Sequence, residues 1–261
     1  KLMTEPMEVN ERMRELSLKM PVGSTVLTVV RLVEQMALYY NQTKSIGTLK
    51  LNTPEDYVQK YVNEYYLMDM FYRRALEAYH ELVTLDIPIE AVINEAKRQL
   101  DQEYAKMANV MNLEWLTCVK EKGEAFRGVT LGRQQNFYRT EGDGTVKQVV
   151  IVSDALRYEV AVELMQQLAK EKHIATLTPY LAMLPTETKY CKPALLPHHS
   201  LGMLGTEMLV DGTVLNTTDQ RTAHLCKYKE GAVCMRYEEV MNGDLSAMRE
   251  LFKRPLVYIF H

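Results

Sequence analysis

The run Val146-Lys147-Gln148-Val149-Val150-Ile151-Val152 sets the narrowest limit on the fold. It is rich in β-branched residues, nearly uncharged and of strand length. A strand that faces water on one side alternates apolar and polar residues. A strand buried on both faces does not, and such strands belong to sheets covered by helices. The run ends at Ser153-Asp154, and a helical pattern from Ala155 to Ala169 starts at once. A buried strand that feeds directly into a helix predicts an α/β layered sheet.

The rest of the C-terminal half keeps this alternation. His173 to Tyr180 reads as strand-like and Thr186 to Leu195 as the start of a short helix. Val210-Asp211-Gly212-Thr213 reads as a turn between short strands. Thr218 to Tyr228 reads as a helix, Ala232 to Arg236 as a strand, Asp244 to Phe252 as a helix and Leu256 to Phe260 as a last strand.

Residues 1 to about 125 have a different period. Val26, Val29, Val30, Val33, Met36, Ala37 and Tyr40 recur at helical spacing. Asn52-Thr53-Pro54-Glu55-Asp56 is a helix start, with Thr53 as cap, Pro54 at the first position and two acids facing the dipole. Tyr61, Tyr65, Met68, Tyr72, Ala75, Tyr79 and Leu82 continue the stripe. A further helix is expected from Ile89 to Val119, after a break at Asp86-Ile87-Pro88. The tyrosines are either a half-buried face with wet hydroxyls or a surface that docks a partner; core packing is favoured, because a bundle needs such faces. With the turn cluster Glu141-Gly142-Asp143-Gly144, the pattern predicts a helical domain at 1–128 and an α/β domain at 129–261, joined between Gly123 and Gly144.

Charge and cysteine usage narrow the function classes. The net charge is −3, from 31 basic and 34 acidic residues, so charge points to neither nucleic acid nor anionic lipid as a direct partner. No apolar run approaches the ~20 residues that cross a bilayer, and the first residues lack a signal-peptide core. Cys118, Cys191, Cys226 and Cys234 include no C-x-x-C pair, which suits free thiols in a reducing cytoplasm. The chain starts at Lys1 and stops at His261 within a strand-like run, so a piece of a longer protein is expected.

Two segments can carry chemistry. Asp154 stands where the first core strand ends, and open α/β sheets build their sites at the carboxyl ends of strands. A carboxylate fixed there suits a metal, but Asp is also a common helix N-cap, and spacing alone favours the cap. Leu184 to Pro197 places Thr186 and Thr188 at a helix start, where backbone N–H groups favour an anion. Either hydroxyl is a nucleophile once activated, and Thr186 is equally a cap. Cys191 has no histidine beside it in sequence, and His80, His173, His198, His199 and His224 form no ligand pattern.

The strand-end SDALRYE, followed about thirty residues later by LPTET and then by ALLPH, resembles the PglZ domain of bacteriophage exclusion (BREX) and phage growth limitation systems. That domain is a member of the alkaline phosphatase superfamily. The motifs cover Val146 to about His198, while Val210-Asp211-Gly212 and PLVYIFH are consistent but weaker. The resemblance implies an N-terminal helical region followed by a truncated alkaline-phosphatase-like α/β sheet. It implies a metal-dependent phosphatase or phosphodiesterase in anti-phage defence, with other BREX proteins as partners.

By the same resemblance, Asp154 matches a metal-ligating aspartate, and Thr188, three residues after Pro185, matches the nucleophile and a further ligand. His261 stands at a strand end where the superfamily often places another ligand. Arg157 and Thr186 fall to substrate binding, and the implied metal is zinc. Two departures stand out. PTET replaces Pro-Ser-x-Thr, and Lys189-Tyr190-Cys191-Lys192 replaces a small, glycine-containing stretch, bringing two lysines that either assist an anionic substrate or are solvated. The competing function is a non-enzymatic scaffold that assembles the defence complex through its helical region.

Overall fold

The computed structural model describes residues 1–84, 91–122, 128–142 and 146–261. They form two compact units, one of Lys1–Thr130 with Tyr158–Ala175 and one of Leu131–Arg157 with Thr176–His261. The chain is α/β, with N-terminal helices followed by a small mixed sheet region.

The first unit contains helices α1 (Pro6–Ser17), α2 (Thr25–Ser45), α3 (Pro54–Lys60), α4 (Tyr66–Thr84), α5 (Ala91–Lys122) and α6 (Tyr158–Lys170). A π-helical turn, Tyr61–Tyr65, joins α3 to α4. The starts follow local chemistry. The Ser24 hydroxyl accepts the Leu27 N–H at α2. At α3, Thr53 Oγ1 accepts the Asp56 N–H at 3.1 Å while Asp56 Oδ2 accepts the Thr53 N–H at 3.0 Å, a reciprocal cap that satisfies two orphan donors.

The apolar stripes face inward. Leu32, Met36 and Tyr39 of α2 pack with Met68, Ala75 and Leu82 of α4 and with Leu100 of α5. Each of the leucine and methionine side chains contributes about 1.5–3 kcal/mol by leaving water. The tyrosine stripe is mainly core. Tyr65 is buried, Tyr72 stacks on Tyr104 at 3.8 Å, and the Tyr61 and Tyr104 hydroxyls donate to opposite oxygens of Asp69 at 2.6 and 2.9 Å. No strand interrupts residues 54–84. The break at Asp86-Ile87-Pro88, the first residues of the joint at Gly123, and Asp143-Gly144 lie outside the described residues.

The second unit holds three sheets. Strands β1 (Gly132–Arg133) and β3 (Tyr180–Leu181) form a parallel pair. β2 (Gln148–Val152), β7 (Val233–Arg236) and β8 (Leu256–Phe260) form a parallel sheet in the order β2-β8-β7. Val149 faces Val257 and Val152 faces Phe260 across one pair; Val233 faces Val257 across the other. β8 is central and buried at every residue, which accounts for its unbroken apolar run. β4 (Leu201–Leu204), β5 (Glu207–Val210) and β6 (Thr213–Val214) form an antiparallel meander. Its second turn uses Asp211 and Gly212, both at positive φ, as a tight Asp-Gly hairpin demands. The unit's helices are α7 (Thr188–Ala194), α8 (Thr218–Cys226), α9 (Tyr237–Met241) and α10 (Leu245–Leu251).

Three local expectations shift. The helix expected from Ala155 starts at Tyr158, because Ala155 adopts φ 54° and the chain turns there first. The strand expected at His173 to Tyr180 shrinks to Tyr180–Leu181; Ile174 is fully exposed and pairs with no strand. The helix expected from Thr186 begins at Thr188, with Glu187 as its N-cap residue and no side-chain cap.

Candidate functional site

Asp154 leaves the carboxyl end of β2, where the chain is pinned to β8. The His261 N–H donates to the Val152 carbonyl at 2.9 Å, and the Asp154 N–H donates to the His261 carbonyl at 3.3 Å. A tight turn follows, and the Ala155 N–H donates to Asp154 Oδ1 at 3.2 Å. Asp154 lies four residues before α6, so it is not that helix's cap.

Thr188, 34 residues later in sequence, opens α7. Its hydroxyl donates to Asp154 Oδ2 at 3.2 Å and lies 3.4 Å from Oδ1. The two side chains share one strand edge within the span of two ligands on one cation. One turn on, Lys192 projects from the same face of α7, as i and i+4 residues do. Its ammonium lies 3.3 Å from Asp154 Oδ2 and donates to the His261 carbonyl at 3.1 Å.

Burial works to raise the Asp154 carboxyl, but the Lys192 ammonium, the Thr188 hydroxyl and the Ala155 N–H outweigh it. The carboxyl therefore stays below its usual range and is ionised at neutral pH. The neighbouring thiol is not activated. Burial first, then the Asp154 charge, push Cys191 upward, and its Sγ rests 3.7 Å from the Pro185 carbonyl.

The other residues read from the sequence divide. The His261 ring is not drawn onto Asp154; it stands edge-to-face on Tyr237 at 4.6 Å, and the backbone carbonyl of His261 is what reaches the site. Arg157 lies before α6 rather than within the helical pattern that starts at Ala155, and is exposed. Thr186 is exposed and caps no helix. The two lysines part company: Lys189 pairs with Glu187 at 3.3 Å and covers the Tyr190 ring, while Lys192 enters the site.

Among the described residues no group of three or more His, Cys, Asp and Glu side chains could hold a metal. The donors gathered at the strand end, one carboxylate and one hydroxyl, are fewer than a metal ion normally takes. Asp154 is ionised, a hydroxyl sits beside it, and an ammonium already stands between Asp154 Oδ2 and the His261 carbonyl as a resident positive charge.

A second polar cluster was legible only as a turn. Asp211 Oδ1 accepts the N–H groups of His199 (2.9 Å) and Ser200 (2.8 Å), and Oδ2 accepts the Tyr228 hydroxyl at 2.5 Å. Burial opposes its charge, but the Tyr228 hydroxyl and these N–H groups win, holding the carboxyl down to about 2. Burial and Asp211 together push the Tyr228 phenol up to about 12. Nearby, buried His224 donates through Nε2 to the Pro197 carbonyl at 2.7 Å. These contacts tie the 197–200 loop to the β5–β6 turn and to α8.

Residues 136–261 match the family described as the BREX system PglZ alkaline phosphatase-like domain. An alkaline phosphatase-like protein PglZ of Bacillus cereus (strain H3081.97) is 26% identical over 216 residues, covering 80% of this chain and 25% of that protein. That alignment is longer than the 136–261 segment, so similarity reaches into the helical residues. An alkaline phosphatase-like protein BrxZ of Escherichia coli O9:H4 (strain HS) is 34% identical over 140 residues, 49% of this chain and 16% of that protein. The chain thus spans a quarter or less of the length of both relatives. No solved structure gives a significant match. The resemblance in SDALRYE and LPTET is therefore carried by a domain-level match, and the α/β fold is consistent with it.

Proposed function

We propose that this chain, similar over residues 136–261 to the BREX PglZ alkaline phosphatase-like domain, contributes the nucleophile and one metal ligand of a phosphatase or phosphodiesterase in an anti-phage defence system. The observation that carries this is the contact of Thr188 Oγ1 with Asp154 Oδ2 at 3.2 Å, made by segments 34 residues apart at one strand end. A side-chain hydroxyl, an ionised carboxylate and a rigid strand terminus are what in-line attack on phosphorus requires of the nucleophile side.

Thr188 is the nucleophile: its hydroxyl loses its proton to solvent and its oxygen attacks phosphorus, the P–O bond to the leaving alcohol breaks and that alcohol departs protonated, and water then attacks the phospho-threonine, breaking its P–O bond to release phosphate and restore the Thr188 hydroxyl. Asp154 and the Thr188 oxygen hold the cation, which when bound supplies Lewis-acid stabilisation of the alkoxide and of phosphoryl charge. Zinc is the expected ion by resemblance. By resemblance His261 would be a further ligand, though its ring stands on Tyr237. Arg157 and Thr186, both exposed, bind phosphoryl oxygens. The substrate is a phosphorylated or phosphodiester compound, the partners are other BREX proteins, and the setting is cytoplasmic. Among the described residues no helix is long and apolar enough to cross a membrane.

The second function is a scaffold in which the domain serves assembly through its helical region. The Lys192–Asp154 pair favours it, since it neutralises the carboxylate without a metal. One experiment separates the two. The full-length protein is assayed with zinc or manganese on generic phosphomonoesters and phosphodiesters, alongside Thr188→Ala, and both are tested for phage resistance. Turnover lost in Thr188→Ala supports the enzyme. Resistance retained by that variant, with no turnover in either protein, supports the scaffold.

A further inference from the structure

Charges that leave water on folding are normally paired. Arg73 and Arg74 of α4, both partly buried, obey this: Arg73 meets Glu159 and Glu163, and Arg74 meets Glu163. Arg221 of α8 does not. It is partly buried, yet among the described residues no carboxylate pairs with it. Two other contacts hold it. Its Nε donates to the Leu215 carbonyl at 3.0 Å, and its guanidinium carbon lies 4.8 Å from the centre of the Phe260 ring. Burial pushes the guanidinium below its usual range, and Cys234 pulls weakly the other way. That thiol, pushed up to about 12 with burial as the main cause, is neutral at pH 7 and brings no charge.

Both Nη nitrogens of Arg221 are thus left without a partner among the described residues. A guanidinium presents such donors as a planar fork that fits two oxygens of one oxyanion. Phe260, which carries the group, is the last residue of β8 and pairs with Val152 of β2 and Arg236 of β7. Arg221 therefore stands at the carboxyl ends of the parallel strands, where open α/β sheets gather their ligands. Phe260 and Val152 share an apolar cluster with Tyr190 of α7, so Arg221 and α7 lie on one side of that sheet. α7 is the helix that opens with Thr188.

We propose that Arg221 is an oxyanion receptor at this strand end, its two Nη nitrogens holding two oxygens of a phosphate-type group, free or carried by a substrate. The guanidinium itself supplies the positive charge, so no metal ion enters the proposal. Its place beside Thr188 rests on the strand end being a phosphoryl site; the anion at Arg221 does not.

The test is titration of the 261-residue chain with inorganic phosphate, without added metal, followed by phosphorus NMR. Wild type, Arg221→Gln, Arg221→Lys and Asp154→Asn are compared at one pH and ionic strength. Arg221→Gln is expected to bind phosphate at least about tenfold more weakly than wild type, as loss of a charge-assisted pair requires. Arg221→Lys keeps the charge without the fork and is expected to bind more weakly than wild type. Asp154→Asn is expected to bind more tightly, because it removes a like charge beside the anion. No binding of millimolar phosphate by wild type overturns the proposal, as does Arg221→Gln binding as well as wild type. Arg221→Lys matching wild type overturns the two-oxygen geometry. Binding that is lost in Arg221→Gln but indifferent to Asp154→Asn keeps Arg221 as the receptor and overturns its place beside Thr188, and with it the phosphoryl reading of the strand end.

A measurement on wild type alone guards against a misfolded variant. Modification of Arg221 by glyoxal, a small arginine reagent, is read by mass spectrometry with exposed Arg254 as internal control. Phosphate is expected to slow the reaction at Arg221 and not at Arg254. An unchanged rate at Arg221 overturns the proposal, and so does an Arg221 that never reacts, since a group closed to glyoxal is closed to phosphate.

Discussion

Replacing Asp211 by asparagine should destabilise the α/β unit in a pH-dependent way. The carboxylate accepts the His199 and Ser200 N–H groups and the Tyr228 hydroxyl, and its folded pKa is about 2. An unfolded aspartate titrates near 3.9, so linkage gives about 2.6 kcal/mol at neutral pH before screening. Asp211 is partly exposed, and screening reduces this to roughly 1–2 kcal/mol. Because the folded pKa is depressed, that stability is fully present above about pH 4 and is lost as pH falls toward 2. Asparagine keeps one acceptor for the two N–H groups and tolerates the φ of 48°, so it removes the charge and the oxygen that accepts the Tyr228 hydroxyl. Scanning calorimetry should show a melting temperature for Asp211→Asn lower by about 3–8 °C at pH 7, with the gap falling to about half at pH 3. Asp211→Ala should cost more, by about 1–3 kcal/mol, because it strands the His199 and Ser200 N–H groups and leaves alanine at a φ of 48°. A gap that is the same at pH 7 and pH 3 would refute the electrostatic account, and no gap at pH 7 would refute the role of Asp211 altogether.

The 261-residue chain alone, given zinc or manganese, should turn over no phosphodiester, since fewer than the usual three metal ligands meet at Asp154 among the described residues. Turnover by the chain that Thr188→Ala abolishes would show the gathered residues to be enough, and turnover that survives it would reassign the nucleophile. In a full-length protein that is active, Thr188→Ala should lower kcat by at least about 10³-fold, as losses of other nucleophiles do. Arg73→Met should cost about 3–5 kcal/mol, read by denaturant unfolding, because it strips the 2.9 Å partner from the fully buried Glu159; the Arg73→Met/Glu159→Gln double variant should recover part of that. Leu32→Ala, at 1% exposure in the helical core, should cost about 2–5 kcal/mol by the same assay, and a cost under about 1 would show that site to be loosely packed.

What could be read from the sequence is what local chemistry decides. Thr53-Pro54-Glu55-Asp56 caps α3 as its residue types require, and the uninterrupted apolar run Leu256–Phe260 is a strand buried at every position. Asp154 and Thr188 were paired by motif, and they do meet at one strand end. What stayed hidden depends on contacts between distant segments. Lys192 looked no different from Lys189 until α7 turned one toward Asp154 and left the other on Glu187. The position of His261 at a strand end says nothing of its ring, which stands on Tyr237, a residue 24 positions earlier. Ala155 is an unremarkable helix former in sequence; its positive φ delays α6 by three residues and moves Arg157 out of the helix.

The order of strands in the parallel sheet bears on how the protein is made. β8 is the middle strand, yet it is the last of the three to be synthesised, and it pairs with β2 across about a hundred residues. At ~5–20 residues per second, β2 leaves the ribosome roughly 5–20 s before its partner exists. Throughout that interval Val149, Val150, Ile151 and Val152 present an apolar strand with both hydrogen-bonding edges open, the kind of segment that seeks foreign strands. β7 gives no relief, since among the described residues it too pairs only with β8. Pairing with β8, once residues 256–260 emerge, closes one of those edges; β2 remains an edge strand of the described sheet, with Val149 and Ile151 still exposed.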